Sequence, residues 1–458
     1  MRRAIPWAWL VCAGCGSELL PPGVAVLTSG HEPDPWGEAP APIEARIGSE
    51  RADGSRALLA TPEPPLKRFS LGYRDPMRFL VAGLGEAGDE LVCARSVEVD
   101  PVGLAALELP LFVARSGALA RPPGSLSAAL ARASVAVGGG RVILAAGGTP
   151  EGRLIVDGYD LATWSPVAST LDLECPAMPC EVTSLLVVDG ALALVLGDNW
   201  AVSLDLAEGA GADLPPPAGL ASWADLAAGR SIPTSDGGGY VVGGTRVGAP
   251  TAAVLRADAD GQLRVLSLAA PRAGAAAAWV AGRGLVVAGG SATGPGVELL
   301  SDGAGAFVSL PFPPDATVGA ALVPADTATA VRLGGSGAAG EPAPSATLAL
   351  GCSGDACVPL PAWPDVPLTR AEAYPLPGGD ALATGADATG AWAAWHVGPS
   401  AATPVALREA RTGAASLAIP TGHVAILGGR RADGTAATTL ELYTPPGLCA
   451  VPSAAAGE

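Results

Sequence analysis

The sequence has one lysine, Lys67, three histidines, His31, His396 and His423, and only five tyrosines and five phenylalanines. The histidines lie in separate parts of the chain and form no pair at ligand spacing. Zinc-type sites and Ser/His/Asp triads are therefore left without a base that the sequence singles out. Charged residues make up only 16%, and acids outnumber bases to a net charge of −17. Such a field repels a polyanion, so nucleic-acid partners are not expected. Arg430–Arg431 is the nearest approach to a basic patch, and two adjacent arginines read as a solvated loop. Beyond the N-terminus no uninterrupted apolar run reaches the length of a membrane-spanning helix. Long helical periodicity is missing too, which excludes βαβ crossovers and the parallel sheet they build.

What is present is apolar material, at 49%, divided by 62 glycines and 44 prolines. Composition of this kind borders on low complexity. The glycines and prolines nevertheless punctuate apolar runs at regular intervals, as many short strands joined by tight turns require.

The N-terminus begins with Met1-Arg2-Arg3 and an apolar stretch from Ala4 to Gly14, of signal-peptide rather than membrane-spanning length. It ends in Cys12-Ala13-Gly14-Cys15-Gly16-Ser17, which resembles a bacterial lipobox; the place that usually holds Leu, Val or Ile is taken here by Cys12. The resemblance implies a signal peptide over residues 1–14. It also implies lipid attachment at Cys15 and a lipoprotein exported to the cell envelope, at the outer membrane on its periplasmic or surface face. Six further cysteines suit an oxidising compartment. Cys175 and Cys180, and likewise Cys352 and Cys357, are spaced for small loop disulfides, which leaves Cys93 and Cys449 as a remaining pair. No histidine stands near either close pair, and no metal site or cofactor is expected.

A unit recurs seven times. An apolar run ends in Gly-Gly or a relic of it, then come a variable loop, a second strand, a turn and a third strand. The marker glycines are Gly148, Gly197, Gly244, Gly290, Gly335, Gly385 and Gly429, spaced 44–50 residues apart. Units of this size cannot bury both faces alone, so neighbours must stack. Val142–Ala146, Leu285–Ala288 and Val424–Leu427 are continuous apolar runs, as strands covered on both faces should be. Radial stacking of antiparallel sheets meets these demands, and the fold predicted is an all-β, seven-bladed β-propeller.

In the first unit Gly147-Gly148 is followed by Tyr159 and Trp164, and Arg272-Ala273-Gly274 and Arg411-Thr412-Gly413 open later units. This set resembles the kelch motif, the repeat of galactose-oxidase-type propellers. The resemblance covers about residues 105–447 and implies structural roles for these glycines and aromatics. The last unit lacks its outermost strand, and the stretch Leu111–Ala120 has the form of the missing piece. An N-terminal strand is therefore expected to close the last blade. Ahead of the propeller the reading places a tether over 15–41 and a small β-sandwich-like domain over 42–104; a C-terminal tail follows over 448–458. Asp157-Gly158, Asp260-Gly261 and Asp302-Gly303 read as turn residues.

The loops after the Gly-Gly markers open on one end of a propeller and vary most between units. They contain Trp200, Arg246, Glu341, Trp392, Arg430 and Asp433, the candidate ligand contacts. The function expected is a non-catalytic binding platform for a glycan or a protein, held to a membrane by its lipid. A carbohydrate-active enzyme using the propeller bowl and a structural component of an envelope assembly are the alternatives. The sequence does not say what is bound.

Overall fold

The computed structural model describes residues 22–453 except 73–74, 101, 103, 105–106, 169, 247–248, 353–356 and 361–362. Seven small antiparallel sheets follow one another around a ring, a seven-bladed β-propeller. The innermost strands are Ser134–Gly138, Val182–Val188, Arg230–Pro233, Ala276–Val280, Ala321–Pro324, Arg370–Pro375 and Ala415–Ala418. Each marker glycine lies in or just after the second strand of its blade, as in Val142–Gly148 and Leu192–Gly197.

Seven inter-blade interfaces hold seven separate apolar clusters. Blades 1 and 2 share Leu144, Leu154, Leu185 and Val195. Blades 5 and 6 share Val323, Val331, Ala371 and Ala383. Blades 7 and 1, the two ends of the array, share Leu417, Leu427, Ile143 and Tyr159. Every blade is therefore buried on both sides, which explains why the second strands carry no polar alternation.

Ring closure uses two residues from near the N-terminus. Leu119–Ala120 pairs antiparallel with Leu442–Tyr443 as the outer strand of blade 7. The start of the stretch expected to serve here, from Leu111, falls instead in the strand Glu108–Arg115 of the sheet ahead of the propeller. Inside blade 1, Asp157 and Gly158 are not a turn but lie within the strand Arg153–Asp160. Asp157 is fully buried, where its carboxylate accepts from the Ala128 and Gly158 N–H groups and the Thr170 hydroxyl.

The module ahead of the propeller, expected as β-sandwich-like, is one seven-stranded sheet curved into a half-barrel. Val24–Thr28, within the stretch expected as a tether, is one of its strands and runs parallel to Glu108–Arg115. Alternation along Glu108–Arg115 serves two cores. Leu109, Leu111 and Val113 face the concave interior, while Phe112 and Ala114 pack on the propeller. The start of the segment expected as a tail is also packed, with Leu448, Cys449 and Val451 filling a cluster on this sheet.

Three disulfides form, Cys93–Cys449, Cys175–Cys180 and Cys352–Cys357. No helix among the described residues is long and apolar enough to cross a membrane.

Candidate functional site

Each inner strand starts opposite the end of its second strand, as Arg230 opposite Val242 and Arg370 opposite Ala386 show. One end of the ring therefore gathers the starts of the inner strands and the Gly-Gly loops. At this end the second glycine donates its N–H to the segment entering the next blade: Gly290 to Thr317 O, Gly335 to Leu368 O and Gly429 to Leu130 O. Gly335 takes φ +90°, and a Cβ there would lie 2.8 Å from the Ala320 nitrogen. The pair is thus a clamp between blades that only glycine fits.

The Arg-x-Gly openings are structural as well. Arg272 and Glu298 are both fully buried and joined at 2.8 Å. Arg272 also donates to the Gly289 and Pro295 carbonyls, and Glu298 accepts from the Ala269 N–H. Blade 7 repeats the device: Arg411 donates to Glu441 at 2.6 Å and to the Gly428 carbonyl, again the first glycine of the pair.

The six candidate contacts separate. Trp200 is buried at 4% exposure between blades 1 and 2, so it is not an exposed contact. Its indole lies over Gly197, where a Cβ would come within 2.1 Å of the ring. Trp392 is half-buried against the core between blades 6 and 7. Arg246 belongs to the strand Thr245–Arg246, and its side chain lies outside the described part of the structure. Glu341, Arg430 and Asp433 are exposed at the loop end. Each also holds its own loop: Glu341 accepts from the Ala339 N–H, Arg430 donates to Gly434 O, and Asp433 accepts from Thr435. Hydrogen bonds from Thr435 keep the Asp433 carboxyl below its ordinary range.

A further polar cluster was not among these candidates. It lies on the inner strands of blades 3, 6 and 7. Arg230 reaches across the axis, its Nη2 donating to Ala320 O and Ala371 O, both at 3.0 Å. On blade 6, Glu372 Oε2 accepts from the hydroxyls of Tyr374 at 2.9 Å and Ser416 at 2.5 Å. Thr384 joins at 2.6 Å from the Ser416 hydroxyl. Burial lowers the Arg230 pKa from its ordinary value, opposed by the Glu372 charge. Burial also pushes the Tyr374 hydroxyl well above its usual range, with the Glu372 charge adding to the effect.

The histidines serve elsewhere. His396 bridges blades 6 and 7, with Nδ1 at 2.7 Å from the Tyr443 hydroxyl and Nε2 at 2.8 Å from Asp380. Tyr443 is fully buried, so this chain of bonds is a tie rather than an exposed nucleophile. His423 is fully buried beside Phe112, with Nδ1 on the Thr421 hydroxyl and Nε2 without a partner. Burial lowers its pKa from 6.5 to about 3, helped by the Arg95 charge. A neutral buried His must gain a proton on unfolding below 6.5. Stability is therefore retained above pH 6.5 and declines as pH falls from 6.5 towards 3. Urea unfolding over this window should show a shallower decline in His423→Gln than in the parent.

Asp258-Ala259-Asp260, spaced as calcium ligands can be, is otherwise engaged. Asp258 pairs with Arg256 and Arg264, and Asp260 accepts from the Gln262 N–H. Among the described residues no three His, Cys, Asp or Glu stand together as a metal site.

The N-terminal half-barrel packs on the opposite end of the ring. Phe112 lies 5.3 Å from Trp164, in the turn closing blade 1, and a Cβ at Gly422 of blade 7 would meet Arg95 and Leu448. Among the described residues these half-barrel contacts lie away from the loop end and the mouth of the ring.

Neither a family model nor a curated protein matches the sequence. Solved structures similar to the chain include one of a mitotic checkpoint complex, at 13% identity and a TM-score of 0.41, covering 71% of this chain and 91% of the other. Another is the calcium-binding protein regucalcin from Agrobacterium tumefaciens, at 12% identity and a TM-score of 0.36, covering 70% and 92%.

Proposed function

We propose that this chain is an exported, lipid-anchored propeller of the kelch type that acts as a non-catalytic binding platform for a glycan or protein in the cell envelope. The observation that carries the reading is the loop end, where the polar Arg230 and Glu372 cluster lies away from the described contacts of the N-terminal half-barrel. An anchor at Cys15, which lies outside the described residues, would tether the protein through that half-barrel and turn the loop end from the membrane. Three disulfides fit an oxidising compartment. The kelch reading draws on the Gly-Gly clamp, the buried Tyr159 and Trp164, and the two Arg-x-Gly pairs.

The test has two parts. Cells fed a labelled fatty acid should label the full chain but not Cys15→Ala, and the label should fractionate with membranes. The purified chain should retain defined glycans or envelope proteins without altering them. Absence of label removes the anchor, and turnover of a retained glycan replaces the platform with an enzyme.

A further inference from the structure

We infer that the channel mouth is a binding site for a small carboxylate carrying hydroxyl groups, an acidic monosaccharide in chemical class. This inference rests on the platform reading and names the ligand of its loop end.

The starting point is unmatched charge. Only Nη2 of Arg230 is occupied, by two backbone carbonyls. Nε and Nη1 make no protein hydrogen bond, and neither is shut off from solvent. They are therefore open to solvent. Among the described residues no carboxylate lies within ion-pair distance of this guanidinium. Glu372 presents the complementary situation: its Oε2 is held by Tyr374 and Ser416, while Oε1 has no partner and is likewise open. A half-buried guanidinium facing solvent is a ready donor to a carboxylate, since charge-assisted bonds are the stronger ones and the low-dielectric wall adds to them.

The neighbours decide the rest of the ligand. Glu372, Tyr374 and Arg370 all act on Arg230. Arg230, bonded only to backbone carbonyls, suits a monoanion. The free Glu372 oxygen needs a donor. A hydroxyl supplies one without adding charge. The two inner strands between the Arg230 and Glu372 blades begin with small residues, Ala276 and Ala321, so no bulky side chain at those places fills the mouth.

The experiment is calorimetric titration of the full chain in detergent with D-galacturonate, D-galactose and glycine. Galacturonate should bind saturably, and galactose and glycine at least tenfold more weakly. Arg230→Gln should weaken galacturonate binding ten- to a hundredfold, whereas Glu372→Gln should weaken it several-fold. If Arg230→Gln loses its native circular dichroism, Arg230→Lys decides, and it should bind measurably but more weakly than the parent. No binding by the parent, equal binding of galactose or glycine, or unchanged binding in the Arg230 variant overturns the inference. Chromatography of the titrated ligand separates the two readings. A new product ends the platform and leaves the site standing. Retention of other glycans without galacturonate binding ends the site and leaves the platform.

Discussion

Glu298→Gln is expected to destabilise the propeller by about 3–5 kcal/mol, measured as the shift in urea unfolding. The reason is what it leaves behind. Arg272 has no exposure, and its other contacts are two backbone carbonyls that cannot carry its countercharge. A glutamine preserves shape but strands a guanidinium in the core, and removing one member of a buried pair costs far more than the pair contributes. The double variant Arg272→Met with Glu298→Leu should recover much of the loss, because apolar replacement of both partners removes the stranded charge. A double variant as unstable as the single one would mean that the carbonyl bonds of Arg272, rather than its charge balance, hold this blade.

Cys449→Ser is expected to have the second large effect, a loss of about 6 kcal/mol in the chain-entropy picture, against about 2 kcal/mol for Cys180→Ser. The two disulfides differ in the loop they close, 356 residues for Cys93–Cys449 and 5 for Cys175–Cys180. The long loop spans the whole propeller, so the bond restricts nearly the entire unfolded chain. Both of its cysteines are fully buried, which makes substitution a cleaner test than a reductant. Melting temperatures of the two variants under identical conditions give the comparison. A Cys180→Ser loss equal to that of Cys449→Ser would assign the stabilisation to local packing instead.

How far the sequence reveals this protein depends on whether a feature repeats. Blades were legible because several need the same tight approach, as at Gly290, Gly335 and Gly429, and chemistry that recurs leaves a period. The half-barrel was less so: Val24–Thr28 precedes a Pro-rich stretch that reads as a tether, and its partner Glu108–Arg115 reads as part of the propeller. Trp200 was misplaced because exposure was inferred from a loop position, and the missing side chain at Gly197 lets the indole fold inward. The Arg230 cluster was invisible for a different reason. Residues 230, 372 and 416 sit on three blades at unremarkable sequence positions. Only the circular arrangement brings them to one axis.

The pairing of Leu119–Ala120 with Leu442–Tyr443 has a bearing on biogenesis. A segment about a quarter of the way along the chain must wait for almost the last before either finds its partner. Contacts so distant along the chain form slowly. A polypeptide delivered across a membrane from its N-terminus would thus travel with an unsealed edge for most of its passage, and a chain stopped short could never seal it.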